Sequence, residues 1–129
     1  MSVRAIDSLI NSHFLDKNQE GTTSYLFKDL KYRRKIDDVD QLLNQLNENG
    51  VGACVISIME EKYASWVSQA HIRYPRKILP AMIVDPRRNL KEIQKVVHYH
   101  ETYGVRCLRI PPFRYMLPPT DRILSLIHI

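Results

Sequence analysis

The stretch VGACVISI, residues Val51–Ile58, decides the interpretation of the fold. Its apolar residues are nearly continuous, and its length is that of a single strand. A strand of this composition is typical of a parallel sheet that is covered on both faces, because a half-exposed strand alternates apolar and polar residues. The sequence therefore predicts a buried parallel strand at this position.

Helical patterns flank this strand on both sides. In DDVDQLLNQLNENG, which precedes it, Val39, Leu42 and Leu46 recur at helical spacing, acidic residues open the pattern, and Gly50 follows its end. In EEKYASWVSQAHIRYP, which follows it, a second apolar stripe ends at Pro75. This stripe consists of Tyr63, Trp66, Val67, Ala70 and Tyr74.

Three further strands are predicted along the chain. They lie at Val3–Asn11, at Lys77–Val84 and at Val105–Pro111. Pro80 predicts an interruption or bulge in the strand that contains it, because proline lacks the N–H group that a sheet requires.

Two further helices are predicted between these strands. The basic segment YLFKDLKYRRK, residues 25–35, is amphipathic. In RNLKEIQKVVHYHETYG, Leu90, Ile93 and Val97 are predicted to face the core, and Gly104 is predicted to end the helix.

Alternating strands and helices predict an α/β fold, with parallel strands joined by right-handed crossovers. At this point two architectures remain: an open, doubly wound sheet and part of a (β/α)8 barrel. A glycine-rich phosphate loop follows none of the strands, and the chain has only 4 glycines. A dinucleotide site or P-loop is therefore not expected.

Composition narrows the class of protein. A chain of 129 residues fits one globular domain. Its net charge of +5 is dispersed along the sequence, which argues against a nucleic-acid-binding surface. Cys54 and Cys107 lie in apolar runs and are expected to be reduced core thiols. With no membrane-spanning stretch or signal peptide in the sequence, we expect a cytoplasmic protein without a membrane partner.

Candidate site residues follow the carboxyl ends of the strands, where α/β enzymes carry their functional groups. Asn11 and His13 are two residues apart and are candidate metal ligands, although Asn11 could equally end the strand and His13 lie on a loop. Asp85 is a candidate substrate-binding residue, and it also suits a turn or cap before Pro86. Arg109 precedes a proline-rich loop and suits an anionic substrate, since guanidinium pairs with carboxylate.

Several passages resemble the N-terminal half of an amidohydrolase-related protein, the TIM-barrel family that includes aminocarboxymuconate-semialdehyde decarboxylase. The most specific are RYPRKILPAMIVDPRR and the Pro-Pro-x-Asp-Arg loop in LPPTDR, with AIDSLIN, GVGACVISI and ETYGVRCLRIPP in support. The resemblance runs from about Val3 to Arg122. It implies a (β/α)8 barrel that performs hydrolysis or non-oxidative decarboxylation, usually with a divalent metal such as zinc at the strand ends.

The metal ligands of that family are not matched here. Its first strand normally ends Asp-x-His-x-His, whereas Leu9 and Asn11 stand at the two histidine positions of this chain. Leucine cannot bind a metal, and the amide of asparagine offers only a weak oxygen ligand. A metal in the intact parent is therefore in doubt, and no cofactor is expected for this chain alone.

The length also departs from the family, because a TIM barrel needs about 250 residues. The chain provides about four parallel strand–helix units, so residues 1–123 are expected to be the N-terminal part of the barrel domain. Leu124–Ile129, LSLIHI, matches the translation of CTG-TCT-CTT-ATA-CAC-ATC, a transposon end used to tag sequencing libraries. Residues 124–129 are accordingly expected to be a non-native tail from adaptor read-through.

These expectations combine into one functional hypothesis. The chain is a fragment of a hydrolase or decarboxylase of a small carboxylated compound, inactive alone, with later strands carrying the catalytic acid or base. Unpaired edge strands predict self-association into a homo-oligomer. The alternative is a complete, non-catalytic α/β binding module with a basic surface.

Overall fold

Strands and helices alternate along the chain in a computed structural model, which describes residues 5–12, 36, 38–118 and 120–125. The strands are β1 (Ala5–Asn11), β2 (Val51–Ile58), β3 (Ile78–Ile83) and β4 (Cys107–Arg109). The α-helices are α1 (Val39–Glu48), α2 (Ala64–Arg73), α3 (Asn89–Tyr103) and the short α4 (Arg122–Ser125). The predicted helix at 25–35 and the candidate ligand His13 lie outside the described residues.

The strands form one sheet in the order β1-β2-β3-β4, and each neighbouring pair is parallel. Strands that add in sequence order through right-handed crossovers place their connecting helices on the same face of the sheet. A doubly wound sheet reverses this order and has helices on both faces. In the described part of the chain the fold is therefore α/β with a singly wound, curled sheet of half-barrel form.

The core lies between the sheet and α1, α2 and α3. Registered partners in a parallel pair point to the same side, and the pairs Cys54–Ile78 and Ile58–Met82 define the helix-covered face. The side chains packed against this face from α1 and α2 are Val39, Leu42, Leu43, Ala64, Val67 and Ala70. The opposite side, called the inner face below, carries Ala53, Val55, Ser57, Ala81, Ile83, Cys107 and Arg109.

Local sequence explains where the helices begin and end. Asp38 caps α1, because its carboxylate accepts a hydrogen bond from the Gln41 N–H at 2.9 Å. Gly104 ends α3 in the left-handed conformation, with φ of 70°. Asp40 joins α1 to α2, since its carboxylate binds the Arg73 guanidinium at 2.8 Å and accepts from the Tyr74 hydroxyl.

Pro80 does not interrupt its strand, so the predicted bulge is wrong. Pro80 pairs with Ile56 in a continuous register between β2 and β3. Its carbonyl accepts from the N–H of Arg106, which places its missing N–H on the β4 side as well. The β3–β4 register begins one residue later, at Ala81, and proline therefore occupies a position where the sheet does not need a donor. The irregularities lie in β1 instead, between Ala5 and Ile6 and between Asp7 and Ile10.

The predicted inward stripe of α3 is also wrong. Leu90, Ile93 and Val97 are 73%, 58% and 48% exposed. The buried side is formed by Glu92, Val96, Tyr99 and Tyr103, which lie roughly 130° around the helix. Glu92 is accommodated on this side because its carboxylate accepts from the backbone N–H of Asp85, and the rings of Tyr99 and Tyr103 pack there with the core.

The two cysteines differ in environment. Cys54 is 1% exposed on the helix-covered face, and burial, with a smaller contribution from Asp7, raises the pKa of its thiol to about 11. A thiol with such a pKa is a poor nucleophile at neutral pH. Cys107 is half-buried on the inner face, and both thiols are free. Cys54 is therefore a core thiol, as the sequence predicts, whereas Cys107, for which the same is predicted, is only half-buried.

The packing predicts a large difference between two isoleucine truncations. Ile56 is 0% exposed, so Ile56→Ala should leave a cavity and lower the free energy of unfolding by about 2–5 kcal/mol. The matched change Ile72→Ala removes a side chain that is 74% exposed and should alter stability by less than about 0.5 kcal/mol. Urea unfolding of both variants measures the difference, and similar losses would contradict the assigned core.

Candidate functional site

A polar cluster formed by Asn11, Ser57 and Arg109 lies at the carboxyl ends of the strands. One guanidinium nitrogen of Arg109, Nη1, lies 2.6 Å from Asn11 Oδ1 and 3.5 Å from Ser57 Oγ. Asn11 is the registered partner of Ser57, so both side chains project from the inner face. The structure thus brings together two of the residues that the sequence singles out, Asn11 and Arg109.

This cluster depends on the curvature of the sheet. Within the described residues β1 and β4 are its two edges, and in a flat sheet such strands would lie about 14 Å apart. Curling towards the inner face brings the end of β4 within side-chain reach of β1. The Arg109 side chain spans the concave surface above Ser57 and closes the distance to Asn11.

The electrostatics of the cluster favour an anion. Asn11 and Ser57 are neutral acceptors, so they position the guanidinium without cancelling its charge. Among the described residues Arg109 forms no ion pair, and its Nε and Nη2 have no hydrogen-bond partner. These two donors point along adjacent directions of a planar fork, the geometry that binds both oxygens of a carboxylate.

The described residues do not fit a divalent metal at Asn11. The amide oxygen that would bind the metal already accepts from a guanidinium, and a second cation beside Arg109 would be repelled. His13 lies outside the described residues. Among the residues that are described, no group of three His, Cys, Asp or Glu side chains is placed to hold a metal ion.

Asp85 belongs to a different arrangement. Its carboxylate accepts from the backbone N–H of Arg87 at 3.1 Å and from Nε and Nη2 of the same residue at 2.9 Å each. It thereby caps the short turn Pro86–Arg88, as the turn interpretation of the sequence expects. These hydrogen bonds from Arg87 lower the pKa of Asp85 from its ordinary value. The carboxylate holds Arg87 and is not joined to Arg109.

A second concave region lies at the ends of β2 and β3. It is a cleft of about 370 Å³, bounded by the segments that follow these strands, the first turns of α3 and the loop after β4. Neither Arg109 nor Asn11 lines it. Two of its buried polar residues, Glu92 and Tyr99, were missed at the level of sequence, because a glutamate within a helical segment is normally assigned to a solvated face.

Ser57 was also missed, although a signal for it exists. It is the one polar residue within the apolar run of β2, and it is 1% exposed. A buried hydroxyl near a strand end is a reasonable site candidate, because such a group needs a hydrogen-bond partner.

Comparison of the chain with protein-family models, curated proteins and solved structures yields no match. None of the helices in the described part of the chain is long and apolar enough to cross a bilayer.

The Asp85–Arg87 pair predicts a specific pH dependence of stability. A carboxylate whose pKa is lowered by folding stabilises the native state above its unfolded value, near 3.8, and loses this contribution as pH falls through the folded value. Wild type should therefore exceed Asp85→Asn in unfolding free energy by a constant amount above about pH 5. The difference should shrink below about pH 4.

Denaturant unfolding between pH 2.5 and 7 measures this difference. Because Arg87 is the main cause of the shift, the pH dependence of the difference should be much smaller in an Arg87→Gln background. An unchanged dependence in that background would assign the effect to another partner of Asp85.

Proposed function

We propose that this chain is the N-terminal half of an amidohydrolase-related (β/α)8-barrel enzyme. The enzyme would hydrolyse or non-oxidatively decarboxylate a small carboxylated compound. The observation that carries the proposal is Arg109, whose guanidinium is fixed at the carboxyl ends of the strands by Asn11 and Ser57. In barrels of this type, substrates bind at that end of the sheet.

In this proposal Arg109 binds the substrate carboxylate. Asn11 and Ser57 both accept from Nη1 and hold the guanidinium, which leaves Nε and Nη2 available for a ligand. A bidentate pair there would orient the substrate through two charge-assisted hydrogen bonds. No metal-dependent step is assigned to Asn11, because its oxygen is already bound to a cation. Asp85 is given a structural role, holding Arg87.

The shape of the sheet supports the half-barrel part of the proposal. Among the described residues β1 and β4 are edge strands, each paired on one side only. Ile6 and Leu9 of β1 are 68% and 57% exposed. Further strands that closed the barrel would pair both edges and cover such side chains. The proposal also includes a cytoplasmic location, a small-molecule ligand and no nucleic-acid partner. The isolated chain is expected to self-associate.

The first test is the reading frame of the source DNA. Long-read sequencing across the codons for Thr120 to Ile129, without transposon tagging, should show the frame continuing past Arg122. We expect a Tyr-rich helix and four more strand–helix units. If LSLIHI and a stop codon are present in the source DNA, the half-barrel proposal fails and the complete binding module becomes the better account.

The second test is carboxylate binding by the chain itself. Benzoate should shift the side-chain Nε–H resonance of Arg109 in nitrogen-15 NMR, and the neutral analogue benzamide should not. Arg109→Gln should weaken benzoate binding by about tenfold or more, the loss expected for a charge-assisted hydrogen bond of about 1.5–3 kcal/mol.

Arg106→Gln is the matched control, because it removes an exposed arginine just before the same strand. Benzoate affinity should be unchanged in this variant. An equal loss in both variants would show that overall charge, and not the site at Arg109, governs binding.

A further inference from the structure

The cleft at the ends of β2 and β3 is separate from the Arg109 cluster and has its own polar floor. Glu92 and Tyr99, both on α3, are 7% and 5% exposed and line the cleft. One carboxylate oxygen of Glu92, Oε1, accepts from the backbone N–H of Asp85 at 2.9 Å. This bond ties the first turns of α3 to the end of β3 and fixes the carboxylate in place.

The other polar atoms of this floor are open to the cleft. Among the described residues, neither the second oxygen of Glu92 nor the hydroxyl of Tyr99 has a hydrogen-bond partner. In the same part of the chain, every side-chain oxygen or nitrogen that is fully enclosed has a hydrogen-bond partner. Both atoms therefore keep some accessible surface, and their residues line the cleft although they are more than nine-tenths buried.

The floor carries negative potential. Glu61 lies at the wall of the cleft, beside Tyr99. Burial is the main cause of a raised pKa of Tyr99, and the charges of Glu61 and Glu92 add to it. Two carboxylates and a hydroxyl thus line the same cleft, a set of acceptors that favours an ammonium group.

The rim of the cleft carries the opposite charge. Lys95 and Arg114 line it, and neither makes an ion pair with a described residue. The Lys95 ammonium lies 5.4 Å from the centre of the Tyr99 ring, so it is held above the floor. Arg87 is different, because Asp85 already neutralises it. The cleft thus separates an acidic floor from basic groups at its mouth.

We propose that this cleft binds a small zwitterion with a primary ammonium group and a carboxylate. The ammonium group is held by the Glu92 carboxylate and the Tyr99 hydroxyl, and the carboxylate is held by Arg114 and Lys95. A volume of about 370 Å³ is at the lower end of the range for small-molecule sites, which suits a ligand of this size. The site is independent of the function proposed for Arg109.

A series of ω-amino acids tests the proposal. Glycine, 4-aminobutyrate and 6-aminohexanoate are titrated into the full chain and followed by nitrogen-15 NMR, with butylamine and butyrate as the two half-molecules. At least one amino acid of the series should bind about tenfold more tightly than either half-molecule. Glu92→Gln and Tyr99→Phe should each weaken that binding by about fivefold or more, and Arg114→Gln should do so from the rim.

Two matched controls lie on the same helix. Glu101→Gln and Tyr103→Phe remove the same chemical groups from positions outside the cleft, and they should leave the affinity unchanged. Glu92→Gln keeps an oxygen that can accept from Asp85, and Arg114 is exposed, so both variants are expected to fold. The proposal is overturned if no amino acid binds below 50 mM, if a half-molecule binds as tightly, or if the controls weaken binding as much as the cleft variants.

Discussion

Sequential addition of parallel strands is the constraint on which the rest of the described structure depends. Because each strand lies beside the one before it, every crossover passes over the same side of the sheet. That side must be apolar, and it holds Ile56, Ile58 and Met82 against the helices. The other side is relieved of this requirement, so polar side chains such as Ser57 and Arg109 can project from it without disrupting the core.

Two arginines show how the same side chain serves different purposes on this scaffold. Arg87 faces a carboxylate with fixed geometry, and its charge is used to hold a turn together. Arg109 donates to an amide and a hydroxyl, which orient it. Among the described residues no carboxylate neutralises its charge. A half-buried cation with neutral neighbours is an electrostatic cost to the fold, and an anionic ligand offsets it. This asymmetry distinguishes the ion pair of Arg87 from the guanidinium of Arg109, which no described carboxylate neutralises.

Much of the fold could be predicted from the sequence, because strand and helix periods are local properties. The apolar run of β2 and the cap residues Asp38 and Gly104 act within a few positions of themselves. The orientation of α3 could not be predicted in this way. Its more apolar stripe is the exposed one, and the buried side is chosen by tertiary hydrogen bonds such as that of Glu92.

The candidate site, too, has features that follow from local sequence and features that depend on the tertiary structure. That Asn11 and Arg109 lie at strand ends follows from their positions in sequence, but their contact depends on the curl of the whole sheet. The proline that follows Asp85 predicts its role as a cap. The sequence does not predict that its partner is the Arg87 guanidinium. The cleft at Glu92 and Tyr99 is lined by four separate segments of the chain, so no local sequence pattern predicts it.

The short fourth strand has a kinetic consequence for the inner face. β4 has 3 residues, against 8 in β2, and its register with β3 runs only from the pair Ala81–Cys107 to the pair Ile83–Arg109. A strand with so few hydrogen bonds opens locally at a far smaller free energy than the core strands, and its amides exchange with solvent sooner. Such an opening would carry Arg109 away from Asn11, and it would lower the apparent affinity for the carboxylate proposed to bind there by the fraction of time that β4 is detached. The stability of the β3–β4 pairing would therefore set the affinity of the Arg109 site. A substitution that only strengthened this pairing would tighten binding without contacting the ligand.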